Sequence, residues 1–256
     1  MNEAQNLRHQ ALNGKVALIT GGAKRVGAAM VRELHVHGAK VLIHCNRSTS
    51  AAEALADELN QRRPDSAAVT CLDLLEINQL NSLIHDAQRI FGGLDILINN
   101  ASTFYPTPMG TITLEHWRDL MGSNLQAPLF LSQAAAPILK QRAGLIINIV
   151  DIHGVRPLRE YSTYSVAKAG LIMLTKSLAR ELAPSVRVNG IAPGPVMWPE
   201  DGLIDTEAQR KILSRTPLKR AGSPEDIAKA ALFFAIDAPY VTGHIMPVDG
   251  GRSVGW

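Results

Sequence analysis

A chain of 256 residues and 27.7 kDa fits one large α/β domain, and it buries roughly 75% of the surface it exposes when unfolded, so it needs no disulfide or metal to hold it together. Its 26 Lys and Arg against 23 Asp and Glu leave a net charge of +3, and basic residues gather at most in pairs such as Lys24-Arg25, Arg62-Arg63 and Lys219-Arg220. That pattern excludes the dense basic stripe of a nucleic-acid binder, and a composition of 46% hydrophobic and 19% charged residues, with no apolar run near the roughly 18 of a membrane span, excludes disordered and membrane-spanning classes.

The charge surplus is local. Residues 1–63 hold 9 basic and 5 acidic residues, and residues 64–256 hold 17 and 18, so the preferred anion is expected to be small. The start, Met1-Asn2-Glu3-Ala4-Gln5-Asn6, lacks the basic then apolar pattern of an export signal, and a cytoplasmic protein is expected. Cys45 and Cys71 are the two cysteines, and in that compartment they read as reduced packing residues rather than a redox pair.

Short apolar, β-branched runs punctuate the chain at Val16–Thr20, Val41–His44, Ala67–Cys71, Leu94–Asn99, Leu145–Val150, Val186–Ile191 and Ile245–Val248. They read as buried strands. Longer stretches with apolar residues at helical spacing lie between them, among them Val26–His37, Ala51–Leu59, Leu80–Phe91, Tyr164–Leu182 and Pro224–Ala235. Strand and helix in alternation predict a parallel sheet with right-handed crossovers on both faces: a single-domain, Rossmann-type doubly wound α/β fold of about seven strands. Ligands of such sheets sit beyond the carboxyl ends of the strands. The irregular stretch after the sixth strand, Pro193–Pro217, therefore lies at the functional edge, and a substrate lid is expected over about 195–217.

The first strand runs into Thr20-Gly21-Gly22-Ala23-Lys24-Arg25-Val26-Gly27, and a helix follows. Glycines permit a tight turn and let a pyrophosphate approach the backbone at the positive helix N-terminus, so this position in a βαβ unit points to a dinucleotide. An enzyme using NAD would be expected to carry an acid about 20 residues on, to hold the ribose 2′-hydroxyl. This chain has His44-Cys45-Asn46-Arg47-Ser48 there. Arg47 and the Ser48 hydroxyl can donate to a 2′-phosphate that a carboxylate would repel, so NADPH is expected.

Asp151 follows the fifth strand, and Tyr164-Ser165-Val166-Ala167-Lys168 comes thirteen residues later. Tyr and Lys four apart share a helix face. Hydride delivered to an unsaturated carbon leaves charge on its neighbour that a proton must meet, and Lys168 is expected to bring the Tyr164 hydroxyl down toward neutral pH.

These motifs, with Asn99-Asn100-Ala101, Asn124 and Pro193-Gly194, resemble the short-chain dehydrogenase/reductase family over nearly the whole chain. The resemblance implies Tyr164 as proton donor, Lys168 on the nicotinamide ribose and Asn124 supporting a proton relay through water. It implies cofactor contacts along Gly21, Lys24, Arg25, Val26, Asn46, Arg47, Ser48, Asp73, Leu74, Asn100, Ala101, Pro193 and Gly194, with Asp73 at the adenine and Asn100 beside its ribose. Homotetramers are common in the family.

Two departures are informative. Arg25 stands where most members have a small residue, and Asp151 where most have Ser. With Asn46-Arg47-Ser48 and the stretch Asn100 to Pro108, both are similar to the pteridine reductase branch. A pterin offers ring nitrogens and an amino group along one edge, which Asp151 can meet as acceptor or proton donor. Phe104 would stack the ring, and Ser102 and Arg25 would bind its polar edge. Each has another reading: Phe104 as core packing, Arg25 as a further phosphate contact, Asp151 as a cap or turn residue. The expected function is thus NADPH-dependent reduction of a dihydropterin or dihydrofolate-like ring. The alternatives are an NADPH-dependent carbonyl or 3-oxoacyl reductase, or a non-catalytic NADP-binding regulator. No metal motif is present; His35 and His37 read as answers to a helix dipole, and the end Asp249–Trp256 resembles the family's C-terminus, which often packs at a subunit contact, with Trp256 reaching a neighbouring subunit's site as the minor alternative.

Overall fold

Seven strands form one all-parallel sheet in the order β3-β2-β1-β4-β5-β6-β7 in the computed structural model, which describes residues 10–198 and 205–254. They are β1 Val16–Ile19, β2 Lys40–Cys45, β3 Ala67–Cys71, β4 Ile96–Asn99, β5 Leu145–Ile149, β6 Arg187–Pro193 and β7 Ile245–Val248. The helices are α1 Arg25–Val36, α2 Thr49–Arg62, α3 Asn81–Phe91, α4 Leu114–Met121, α5 Ala127–Gln141, α6 Ser162–Leu182, α7 Thr206–Ser214 and α8 Pro224–Ile236.

Successive strand residues point to opposite faces, and here both faces are covered, which is why the strands read as continuous apolar runs. Ala17, Ile19, Ile43, Ile98 and Ile147 pack with Met30 and Leu34 of α1, Leu59 of α2 and Phe234 of α8. Leu18, Leu42, Leu97, Ile146 and Val188 pack on the other face with Leu83 of α3, Leu131 and Leu139 of α5, and Leu178 and Leu182 of α6. No described helix is long and apolar enough to cross a membrane.

The sheet is the one the strand pattern predicts, with ends shifted by a residue or two. The stretch read as irregular over Pro193–Pro217 differs: it contains α7, whose first turn is capped by Asp205 Oδ1 accepting from the Ala208 amide at 2.8 Å. That helix buries no residue fully, and its apolar side is only Ala208, Ile212 and Leu213 in nine residues, too short a pattern to stand out within a Pro- and Gly-rich stretch. Helices α4 and α5 are likewise absent from the pattern. In α4 only Leu120 is buried, and its capping box closes through His116 instead of the usual Glu or Gln; α5 carries Pro137 in its interior.

The sheet order reverses between β1 and β4, and the crevice at their carboxyl ends is the expected ligand position. At the opposite edge Asp95 closes the sheet. Its carboxylate accepts from the Val16 amide at 2.9 Å, Lys15 Nζ at 3.1 Å and Arg142 Nη2 at 3.0 Å. Burial opposes its charge, but the Arg142, Val16 and Lys15 bonds hold its carboxyl below the ordinary carboxylate value.

Candidate active site

The glycine turn is built around Thr20 and Asn100. Thr20 Oγ1 donates to the Ile98 carbonyl and accepts from the Asn100 and Ala101 amides at 2.9 and 3.0 Å. Asn100 Nδ2 donates back to the carbonyls of Thr20 and Gly21, at 2.8 and 3.1 Å. Gly21 has φ +60°, and a Cβ at Gly27 would lie 2.1 Å from the Gly21 carbonyl oxygen, so only glycine lets α1 start this close to the turn. His44 supplies a strut that the sequence does not announce. Its Nδ1 accepts from the Gly21 amide at 3.2 Å, which leaves Nε2–H to donate to the Leu72 carbonyl at 2.9 Å. Burial depresses its pKa and keeps the ring neutral, as this tautomer requires. The available signal was a histidine inside a fully buried strand.

A cleft of 670 Å³ opens over this turn. Of the residues expected at the cofactor, Gly21, Lys24, Arg25, Val26, Asn46, Arg47, Asp73, Leu74, Asn100 and Ala101 line it, and Ser102 does too. Ser48 lies just outside, at the N-cap of α2, and Pro193 and Gly194 stand apart at the end of β6. Lys24, Asn46 and Arg47 are exposed, and neither Lys24 nor Arg47 forms an ion pair among the described residues. Asp73 Oδ1 accepts from the Leu75 amide at 3.0 Å. Arg25 adopts φ +52°, an uncommon conformation for a residue with a side chain, and its Nη2 donates to the Trp198 carbonyl at 3.3 Å. It bridges the glycine turn and the loop after β6. The fit to a dinucleotide phosphate is good: a cradle closed to any Cβ, two cations on the rim, and no carboxylate at the end of β2.

The long helix α6 places Tyr164 and Lys168 one turn apart on its buried face. Tyr164 Oη donates to Asp151 Oδ2 at 2.7 Å. The other carboxylate oxygen, Oδ1, accepts from the His153 amide at 2.8 Å and caps the short turn Ile152–Gly154. Asp151 therefore fills the cap role and still holds the tyrosine. Lys168 Nζ donates to the Ile149 carbonyl at 2.9 Å and lies 5.6 Å from the Tyr164 ring centre. Burial lowers its pKa to about 8. The expected downward tuning of Tyr164 by Lys168 is not what this geometry gives. Burial first, then the Asp151 carboxylate, push the phenol well above its ordinary value of 10, so Tyr164 is held as a proton donor.

Asn124 sits fully buried in a π-helical turn, Gly122–Gln126, that joins α4 to α5. Its amide donates to the carbonyls of Thr103 and Leu120, and its oxygen accepts from Ser102 Oγ at 2.6 Å. The side chain thus anchors the 100–108 loop. That loop carries Phe104, which stacks on Tyr161 with centroids 4.6 Å apart and meets Tyr164 edge-on at 4.8 Å. Phe104 is 41% exposed, so core packing does not account for it. Of the histidines read as dipole partners, His37 Nδ1 bonds the Glu33 carbonyl at the end of α1, as expected. His35 differs: it is buried against Ser66 Oγ at 2.7 Å, and burial and then Arg63 and Arg62 lower its pKa to about 4. Trp256 lies outside the described residues.

Comparison with known proteins places these features in a family. A family model described as enoyl-(acyl carrier protein) reductase matches residues 21–253. The chain is 34% identical to the 3-oxoacyl-[acyl-carrier-protein] reductase FabG of Aquifex aeolicus, covering 94% of this chain and 98% of that one. It is 35% identical to pteridine reductase 1 of Leishmania tarentolae, covering 93% and 96%. It is 36% identical to 2,5-dichloro-2,5-cyclohexadiene-1,4-diol dehydrogenase LinX of Sphingobium indicum, covering 95% and 98%. With the doubly wound sheet, the glycine turn and the Tyr164–Lys168 pair, these matches make the chain an oxidoreductase of the short-chain dehydrogenase/reductase family.

Proposed function

We propose that this oxidoreductase is an NADPH-dependent pteridine reductase acting on a dihydropterin or dihydrofolate-like ring. The observation that carries the reading is the 2.7 Å bond from Tyr164 to Asp151, set against the exposed ring of Phe104. A ketone needs one neutral donor beside the tyrosine, whereas a heterocycle presents several nitrogens, some to be bonded and one to be protonated. Asp151 answers that need with a carboxylate that shares the Tyr164 proton and can accept from ring N–H groups. Phe104, partly exposed on the loop that follows Ser102, offers aromatic surface to a flat ring, and Ser102 and Arg25 line the cleft.

Bound NADPH would supply the hydride. Tyr164 delivers a proton from Oη, Asp151 accepts from that hydroxyl and holds the phenol in place, and solvent supplies the proton that restores it; Lys168 is the cation for the nicotinamide ribose, and Asn124 fixes the loop that carries Ser102 and Phe104. Lys24 and Arg47 hold the phosphates, which favours NADPH over NADH. Asp73 takes the adenine end. Ser48, Pro193 and Gly194 remain in the reading as outer contacts of the cofactor. The chain is read as a single domain over 1–256 with a lid over about 195–217, of which residues 199–204 lie outside the described residues; Arg25 ties its start to the glycine turn through the Trp198 carbonyl. A homotetramer is supported by the apolar residues left exposed on α4 and α6, among them Leu114, Trp117, Val166 and Met173.

A second reading, an NADPH-dependent 3-oxoacyl reductase, is favoured by the likeness to FabG proteins of Aquifex aeolicus and Staphylococcus aureus. Following NADPH absorbance with dihydrobiopterin, dihydrofolate and an oxoacyl thioester in parallel separates the two. Turnover of a pterin is the expected result; no pterin turnover beside brisk turnover of the thioester would overturn the reading.

A further inference from the structure

The two cysteines were read as separate packing residues, but the sheet brings them together. Cys45 ends β2 and Cys71 ends β3, and they are direct partners across the parallel ladder. Registered partners point to the same face of a sheet, and neighbouring strands lie about 4.7–4.9 Å apart, inside the Cα separation of about 4.4–6.8 Å that a disulfide accepts. The sulfurs are 3.0 Å apart. Closing them to the roughly 2.05 Å of a bond needs a movement of about 1 Å and no rearrangement of the fold.

Their surroundings differ in the way a reactive pair requires. β3 is the edge strand, so no further strand covers Cys71, which is exposed and has Thr49 Oγ1 3.5 Å from its sulfur. Cys45 is buried in the core, and burial and the bond to Cys71 raise its thiol to about 11. Cys71 is thus the point of entry and Cys45 the resolving thiol. Packing explains Cys45 but not an exposed partner in contact with it.

The pair stands at the rim of the dinucleotide cleft. Asn46 and Arg47 follow Cys45 directly, Asp73 and Leu74 lie just beyond Cys71, and all four line the cleft. The two strand ends are already joined there, by the Leu72 amide to the Cys45 carbonyl at 3.1 Å and by His44 to the Leu72 carbonyl. We infer that Cys45 and Cys71 form a redox-modification site, a dithiol that closes to an intramolecular disulfide with a small-molecule disulfide as oxidant and weakens NADPH binding when closed.

The chemistry balances in two exchanges. The Cys71 thiolate attacks the oxidant disulfide, forming a mixed disulfide and releasing one thiolate. Cys45 then gives its proton to solvent and attacks the Cys71 sulfur, forming the internal bond and releasing the second thiolate. The protein loses two electrons and two protons, and the oxidant becomes two thiols. Closure shifts the ends of β2 and β3, and with them Arg47 and Asp73, which follow those ends and line the cleft. By linkage, bound NADPH must oppose closure by the same factor.

The effect on NADPH rests on the cofactor reading above; the bond itself does not. The test equilibrates the full chain in glutathione and glutathione disulfide buffers, traps thiols by alkylation, weighs the intact protein, and measures NADPH binding by fluorescence. The expected result is joint loss of both thiols with no retained glutathione, and an NADPH dissociation constant raised about tenfold, within the 5- to 150-fold range of typical couplings. C71S should abolish the change in affinity, and C45S should hold glutathione on Cys71. A wild-type protein that keeps glutathione on Cys71 with Cys45 free, or one that closes with unchanged NADPH affinity, overturns the proposal. Failure of the reduced protein to bind NADPH would count against the cofactor reading and its coupling, while the mass measurement still decides the disulfide.

Discussion

The two edges of the sheet treat charge in opposite ways. At the amino ends of the strands Asp95 is 3% exposed and its carboxylate is satisfied by Lys15, Arg142 and the Val16 amide. At the carboxyl ends Lys24 and Arg47 stand exposed without an ion pair among the described residues, and the Asp151 carboxylate is bonded to a tyrosine it keeps protonated. One edge pairs its charges within its own chain, and the other leaves Lys24 and Arg47 exposed beside the cleft. This is the division between stability and chemistry expected of an open α/β sheet.

That contrast can be broken from either side. The largest expected effect is at the carboxyl edge: Y164F removes the proton donor, and steady-state turnover should fall by about 10²–10⁴ with a nearly unchanged melting temperature. At the amino edge the pattern should invert. D95A leaves a buried amide and Arg142 without their acceptor and should destabilise by about 3 kcal/mol, a drop of about 6–12 °C in Tm, with little change in kcat. R47D would replace the proposed phosphate donor with a repelling charge. The ratio of NADPH to NADH affinity should fall by about ten- to a hundredfold in binding titrations, and a retained preference would assign the 2′-phosphate to another residue.

The smallest effect concerns acid. His35 is held at about 4 and His44 below the ordinary 6.5, mainly by burial. The unfolded chain takes up these protons first, so their contribution is full above pH 6.5 and is lost as pH falls below it, levelling off near pH 4 for His35. Thermal melts between pH 7.5 and 4 should show this decline. H35Q should flatten part of it, and an unaltered slope would remove His35 from the account.

The strand pattern carried the fold because parallel strands covered on both faces leave a nearly unbroken apolar signature. Helices without that signature escaped: α7 buries no residue fully, and α4 buries only Leu120. The residues expected at the site stand out by spacing and residue type: Gly21 and Arg47 after the first two strands, Asp151 after β5, and Tyr164 and Lys168 one turn apart on α6. Properties that depend on third partners were not. Nothing near Tyr164 in sequence announces that burial and then Asp151, thirteen positions earlier, would raise its proton affinity. His44 under the glycine turn and Cys45 against Cys71 emerge only when strand register is known.

The proposed fit of Asp151 to a nitrogen heterocycle is tested most directly by comparing kcat/KM for dihydrobiopterin and for an oxoacyl thioester in the wild type and in D151S. D151S should lower the pterin value by about 10²–10⁴ and leave the thioester value equal or higher. An unchanged pterin value in D151S would contradict it.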